Sequence, residues 1–377
     1  FVARLADLLA LGGGHQFAIA FAALALEFVE ATLDVSGGDT ATATVNDDDI
    51  AEISIGDAVV SETDVNTSAV LTISLSIASS RDVSVDWATS AGSATAGSDF
   101  VAASGTATIS AGGTTTTIAI AIVGDTVDEL QEAFTVVLTN PVDAVLDGSG
   151  GDVAMVTVDD NDATVLSIAD ATFTETNANF NGVLTISMTL ESDRDVSVDW
   201  ATVAGTAGAG GDFVSSGATA TISAGATSTT VAVPIVGDTV DEQQETFTVA
   251  LSSPTEASLD GSGGDVATVT IADDDATVLS IADVTFTETD ADFNVVLTIS
   301  MTLASDRAVS VDWTASDGTA VDGSDYTLVS GTATIPVSST STTFEIEILG
   351  DVVDELQETF TVTLTNPSEA TLDVSGG

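Results

Sequence analysis

Carboxylates recur at the same places three times along this chain, and they are the side chains with most chemistry to offer. The phrase Gly-Asp-x-x-Asp-Glu-x-x-Glu occupies 124–132, 237–245 and 350–358, a step of 113 residues. In the first unit it is accompanied by Glu62, by Asp99 in Gly97-Ser-Asp-Phe100, and by the run Asp159-Asp-Asn-Asp162. Roughly six carboxylates brought to one place repel one another, which raises their pKa values or splays the loops that carry them. Calcium takes about six to eight oxygen ligands, largely carboxylates, at about 2.3–2.6 Å. Such an ion reverses the repulsion, so loop order and occupancy are expected to be linked. Magnesium fits less well, because it prefers few carboxylates and keeps its waters.

Other chemistries lack their parts. Four Lys+Arg, all of them arginine, face 59 Asp+Glu for a formal net charge of −55. Binding a nucleic-acid backbone requires cationic side chains to displace counterions, and anionic membrane surfaces are excluded for the same reason. Self-repulsion of this size calls for cations nearby, from bulk salt or bound metal. There is no cysteine, and His15 is the single histidine, so disulfides, thiolate sites, nucleophilic triads and His-based metal catalysis have no basis. Paired carboxylates can hydrolyse glycosides, but a catalytic pair copied three times in loops of this kind is not expected, and no enzyme is predicted. A salt-rich setting or a need for solubility would account for the general acidity. Neither explains why the same loop positions are acidic three times. The run Phe17–Leu26 has the length of a signal h-region, and no stretch is long and apolar enough for a spanning helix.

The elements that must position these carboxylates are strands. Trp87, Trp200 and Trp313 stand 113 residues apart, each in a Val-Ser-Val-Asp-Trp phrase, and Arg81, Arg194 and Arg307 keep the same step. Apolar residues alternate with polar ones at Leu71, Ile73, Leu75 and Ile77, at Val83 and Val85, at Ile118, Ile120 and Ile122, and at Phe134, Val136 and Leu138. Val156 and Val158 close the unit. About seven short strands in about 110 residues, broken by Gly-, Ser- and Asp-rich turns, predict an all-β chain of tandem immunoglobulin-like sandwiches. The tryptophan is expected in each core. Each unit's arginine is read as a surface charge of little energetic weight. The Gly-Ser-Gly-Gly-Asp phrases at 148–152 and 261–265 are read as hairpin turns.

The expected organisation is 1–49 as the end of a preceding unit, then repeats at 50–162, 163–275 and 276–377, the last without its final strand. The counterpart of that strand is Asp39-Thr-Ala-Thr-Ala-Thr-Val45. Two accounts stand side by side: the chain is a window of a longer array, or residues 39–45 of one subunit complete the last sandwich of its neighbour by donor-strand complementation. The second account gives a homopolymer joined head to tail.

The succession Glu-Thr, Gly-Ser-Asp-Phe/Tyr, Gly-Thr-Ala-Thr-Ile, Ile-Val-Gly-Asp-x-x-Asp-Glu-x-x-Glu-x-Phe and Val-Thr-Ile-x-Asp-Asp-Asp resembles Calx-β domains. That family includes modules of the regulatory loop of sodium–calcium exchangers and of microbial surface proteins. The resemblance implies a seven-stranded sandwich binding Ca2+ in loops at one end. The ligands it implies are Glu62, Asp99, Asp125, Glu129, Glu132, Asp160 and Asp162 in the first repeat. In the second they are Glu175, Asp212, Asp238, Glu242, Glu245, Asp273, Asp274 and Asp275, and in the third Glu288, Asp325, Asp351, Glu355 and Glu358. Asn161 replaces one acidic residue of the first terminal run, and the third run is missing, so its part would fall to Asp47–Asp49 of another copy. The expected function is a calcium-binding extracellular or cell-surface structural protein, a filament, stalk or adhesin segment. The alternative is a calcium-sensing regulatory module.

Overall fold

The computed structural model describes residues 43–373, and the chain divides into two units, 1–51 and 52–377. In the first unit, residues 43–50 are exposed and form no strand. The expected donor strand falls partly outside the described residues, as do His15 and the run at 17–26. Among the described residues every regular element is a β-strand, which follows from dense Val, Ile and Thr in period-2 alternation.

The first sandwich contains β1 (Glu52–Ile55), β2 (Ala58–Ser61), β3 (Thr67–Leu75), β4 (Val83–Ser90), β5 (Ser104–Ile109), β6 (Thr115–Ile122), β7 (Glu132–Val142), β8 (Val145–Leu146) and β9 (Val153–Asp159). One sheet has the order β6-β3-β1-β8 and the facing sheet β2-β9-β7-β4-β5. The leading strand is thus shared: β1 pairs antiparallel with β3, and β2 crosses to the other sheet to run parallel with β9. Counting β1 and β2 as one strand, and setting aside the two-residue β8, gives the seven strands of an immunoglobulin-like sandwich.

The alternating residues meet between the sheets. Leu71, Ile73, Val83, Val85, Ile120, Ile122, Phe134, Val136, Leu138 and Val156 are all buried. Ile77 is not: it lies beyond the end of β3 and is exposed. Trp200 and Trp313 are buried as expected, while Trp87 is only half-buried. The turn after β8 is not a hairpin, because β8 and β9 belong to different sheets. It carries the chain from one layer to the other.

The second sandwich repeats this plan with β10 (Val165–Ile168), β11 (Ala171–Thr174), β12 (Phe180–Met188), β13 (Val196–Ala204), β14 (Gly217–Ile222), β15 (Ser228–Ile235), β16 (Glu245–Thr255), β17 (Ser258–Leu259) and β18 (Val266–Ala272). The third has β19 (Val278–Ile281), β20 (Phe293–Met301), β21 (Val309–Ser316), β22 (Ser330–Ile335), β23 (Ser341–Ile348), β24 (Thr361–Thr365) and β25 (Thr371–Leu372). Its first sheet is complete in the order β23-β20-β19-β25, but its second has only β22-β21-β24 among the described residues.

Candidate metal centre

The acidic loops gather at one end of each sandwich because of where the strands stop. Glu62 follows β2, Asp99 lies between β4 and β5, residues 125–132 link β6 to β7, and Asp160 follows β9. Aromatic packing anchors the second of these loops: Phe100 stacks on Phe134 with centroids 4.0 Å apart, an arrangement worth about 0.5–1.5 kcal/mol beyond burial. Asp99 is thereby carried inward, where its carboxylate accepts from the backbone N–H of Thr95 and its carbonyl from Val123, at 3.0 Å. The third loop depends on a glycine. A Cβ on Gly124 would lie 2.0 Å from the carbonyl oxygen of Thr63, so only glycine lets the 125–132 loop approach the turn that carries Glu62.

In the first sandwich, one carboxylate oxygen each from Asp99, Glu129 and Glu132 lie within 4.8 Å of one another. Glu62 and Asp99 are buried. Asp160 joins by accepting the backbone N–H of Glu129 at 3.1 Å, and Asp125 holds its own loop by accepting from Val127 at 2.8 Å. Burial, then repulsion from Asp99, Asp125, Glu62 and Glu132, pushes Glu129 up to about 8. Burial and Asp99 raise Glu132 to about 7, and burial with Asp125 raises Glu62 to about 6. Asp162 is also raised, by burial and then by Asp160.

Two observations test whether these residues suit a cation. The buried Oε2 of Glu132 and Oδ2 of Asp162 have no hydrogen-bond partner, an expensive condition for acceptors with no ion to face. The donor set is also all hard oxygen, with no imidazole or thiolate, which matches calcium better than a transition metal.

The second sandwich repeats the arrangement. Asp212, Glu242 and Glu245 converge within the same 4.8 Å, and Asp273 accepts from Glu242 N–H at 3.0 Å. Glu175 accepts from Asp238 N–H at 3.1 Å and is raised chiefly by burial, while burial and Asp212 push Glu242 and Glu245 each up to about 7. Asp274 and its counterpart Asn161 are both exposed. The sequence difference between the two runs therefore falls on the member that faces solvent. Asp275 is raised by burial and then by Asp273.

The third cluster is assembled but open. Asp325, Glu355 and Glu358 converge within 4.8 Å, and Glu288 accepts from Asp351 N–H at 3.1 Å. Glu288, Asp351, Glu355 and Glu358 are all exposed, in contrast to the partly buried Glu129 and Glu242.

The structure also shows functional residues that sequence reasoning missed. Asp128 and Asp241, from the middle of the acidic phrase, turn away from the cluster and are buried at the joint with the following sandwich. Asp128 Oδ1 pairs with Arg194 Nη2 at 2.6 Å and its Oδ2 accepts from Thr164 N–H at 2.6 Å. Its carbonyl accepts from Ser192 Oγ at 3.1 Å, and its N–H donates to the Glu191 carbonyl at 2.9 Å. The next joint repeats this with Asp241, Arg307 at 2.6 Å and Thr277 at 2.8 Å. Arg194 and Arg307 are thus joint residues with side chains only 20% and 17% exposed, which corrects the reading of them as surface charges. That reading holds for Arg81, which is 70% exposed and pairs with Asp143.

Cluster and joint are adjacent. Asp193 of the second sandwich acts on Glu132 of the first, and Asp306 of the third acts on Glu245. The signal for this was present in the sequence: Ser-Asp-Arg precedes both joint strands at 192–194 and 305–307, against Ser-Ser-Arg at 79–81.

Comparison with known proteins gives a family and several distant folds. Residues 44–162, 159–275 and 273–375 each match the family described as Calx-beta domain. Among solved structures, the chain is similar to CBD12 from CALX1.2 at 22% identity, over 55% of this chain and 81% of that one, with a TM-score of 0.28. Calcium binding domain CBD12 of CALX1.1 follows at 20% identity with the same coverage and TM-score. The apo-form Calx CBD1 domain is 25% identical over 30% of this chain and 100% of its own, with a TM-score of 0.27.

Proposed function

This chain belongs to the Calx-beta domain family, and from that premise we propose that it is a calcium-binding array whose ions order the loops at one end of each sandwich and stiffen the joint to the next. The observation that carries the reading is the convergence of Asp99, Glu129 and Glu132, and of Asp212, Glu242 and Glu245, each set within 4.8 Å, with Glu132 of the first set keeping a buried oxygen that has no hydrogen-bond partner. In the first site Glu62, Asp99, Asp125, Glu129, Glu132, Asp160 and Asp162 would hold the ion. Glu175, Asp212, Asp238, Glu242, Glu245, Asp273 and Asp275 would do so in the second. The ion supplies positive charge that cancels mutual repulsion, and the protein's part is to bind and to stiffen, not to catalyse.

The link to the joint is covalent and short. Glu129 is a ligand and its neighbour Asp128 is the joint residue, so ordering the 125–132 loop places the Asp128 carboxylate for Arg194 and Thr164. A structural protein of the cell exterior, a filament, stalk or adhesin segment, uses such joints to hold many modules in line. The acidic surface is consistent with that setting and unsuited to nucleic acid or to membrane insertion. A calcium-sensing regulatory module is the second reading, favoured by the same coupling of ligand loop to joint, because occupancy would then change the contact between modules. Affinity separates the two: sensors respond at about 10⁻⁷–10⁻⁵ M calcium, extracellular modules at about 10⁻⁴–10⁻³ M.

The test is thermal unfolding at constant ionic strength. Chelation should lower the melting temperature, calcium should restore it and magnesium should not. Full rescue by high salt alone would replace ion binding with general charge screening.

A further inference from the structure

The two joints between described sandwiches hold more acid than their arginines require. At the first, one guanidinium, Arg194, meets three carboxylates: Asp128 at 2.6 Å, Asp193 at 2.7 Å and Glu256 at 3.2 Å. At the second, Arg307 meets Asp241 at 2.6 Å, Asp306 at 3.0 Å and Glu369 at 3.7 Å. Asp128 and Asp241 are buried and need a cationic partner. Asp193 and Asp306 do not, since their side chains are 39% and 38% exposed. Each therefore leaves surplus negative charge at its joint.

The backbone holds that charge against the preceding metal centre. Asp128 donates its N–H to the Glu191 carbonyl at 2.9 Å, and its own carbonyl accepts from Asp193 N–H at 3.3 Å. Asp193 is thus bonded to the residue next to Glu129 on the 125–132 loop. Asp241 repeats both bonds with Ala304 and Asp306, at 2.9 and 3.3 Å. Glu132 feels the result. After burial and Asp99, the largest upward push on it comes from Asp193, ahead of Glu62 of its own sandwich. Glu245 follows the same order: burial and Asp212, then Asp306, then Glu175. Glu132 also carries the buried Oε2 that has no hydrogen-bond partner. Metal-free, a like charge is therefore fixed beside an acceptor that already lacks a donor.

We infer that Asp193 and Asp306 serve the calcium sites of the sandwiches before them, so that each of these ions is held by charge from both sides of a joint. Neither residue is in the trios that converge within 4.8 Å, so its part is to add negative charge beside the ion, not to replace a ligand. The inference rests on the calcium reading above and adds a sign to it. Metal-free, the site repels the next sandwich; loaded, it attracts it. Calcium binding and closure of the joint then strengthen each other by the same factor.

The test is calcium titration calorimetry at fixed pH and ionic strength. It uses the 377-residue chain carrying Asp212→Asn and Asp325→Asn, which leaves the first site to titrate. Adding Asp193→Asn should weaken calcium binding about tenfold, the effect of one charge a few ångströms from a divalent ion near the protein surface. It should not lower the metal-free melting temperature, because it removes repulsion from Glu132. Glu191→Gln takes one charge from an exposed neighbour on the same loop and should change affinity less than about twofold. In the complementary background, Asp99→Asn with Asp325→Asn, the second site should be weakened by Asp306→Asn and not by Asp193→Asn. A first site that binds calcium equally well with and without Asp193→Asn would overturn the inference, and a fall in metal-free melting would then make Asp193 simply a partner of Arg194. Equal losses from Asp193→Asn and Glu191→Gln would overturn it in favour of general charge. No calcium binding at either site before Asp193 or Asp306 is changed would instead sink the calcium reading on which the inference rests.

Discussion

Calcium entry into the first site should expel protons, and the number can be worked from the geometry. Burial and mutual repulsion hold Glu129 near 8, Glu132 near 7 and Glu62 near 6, against an ordinary 4.5. At pH 7 about nine-tenths of Glu129, about half of Glu132 and about one-tenth of Glu62 then carry a proton. An ion that needs all three ionised releases about one and a half protons per site. The second site, with Glu242 and Glu245 each near 7, releases about one. Titration calorimetry at pH 7 in two buffers of different ionisation enthalpy measures this directly. Affinity at the first site should rise roughly thirty-fold per pH unit around neutrality. The sign for stability follows from the same shifts. Folded pKa values above 4.5 mean the metal-free native state binds more protons than the unfolded chain. Metal-free stability therefore falls as pH rises from about 4.5 to about 8, and calcium removes that fall. Tight calcium binding with no proton release would refute the reasoning, since it would mean carboxylates already ionised and too far apart to interact.

Three further outcomes are expected. Arg194→Ala and Arg307→Ala should each cost about 2 kcal/mol in urea unfolding, discounted for partial exposure, while Arg81→Ala should cost less than about 0.5 kcal/mol. Gly237→Ala places a Cβ 1.8 Å from the Thr176 carbonyl oxygen and should destabilise the second sandwich by about 2 kcal/mol. Gly261→Ala, with nothing within 4 Å, is the control in the same melting experiment. Asp273→Asn should weaken calcium binding at the second site at least about tenfold, and Asp274→Asn by less than about threefold, because only Asp273 faces the loop of Glu242.

By itself the sequence determined the strands, the repeat and the loop carboxylates, because each depends on local order. Period-2 alternation settles which face of β3 or β6 is buried once a strand forms, and a 113-residue step copies every element with its loops. The convergence of Asp99 with Glu129 and Glu132 was legible for the same reason: all three lie where strands stop at one end. Tertiary structure decided which acids face the cluster and which face the neighbour. Asp128 and Glu129 are adjacent and alike in charge, yet one pairs with Arg194, 66 residues away, and the other faces Asp99. No local pattern separates them, because the choice depends on where the next sandwich sets its Ser-Asp-Arg loop. The exposures within the terminal run were decided in the same way: Asp160 and Asp273 meet the backbone N–H of Glu129 and Glu242, while their neighbours Asn161 and Asp274 stay exposed.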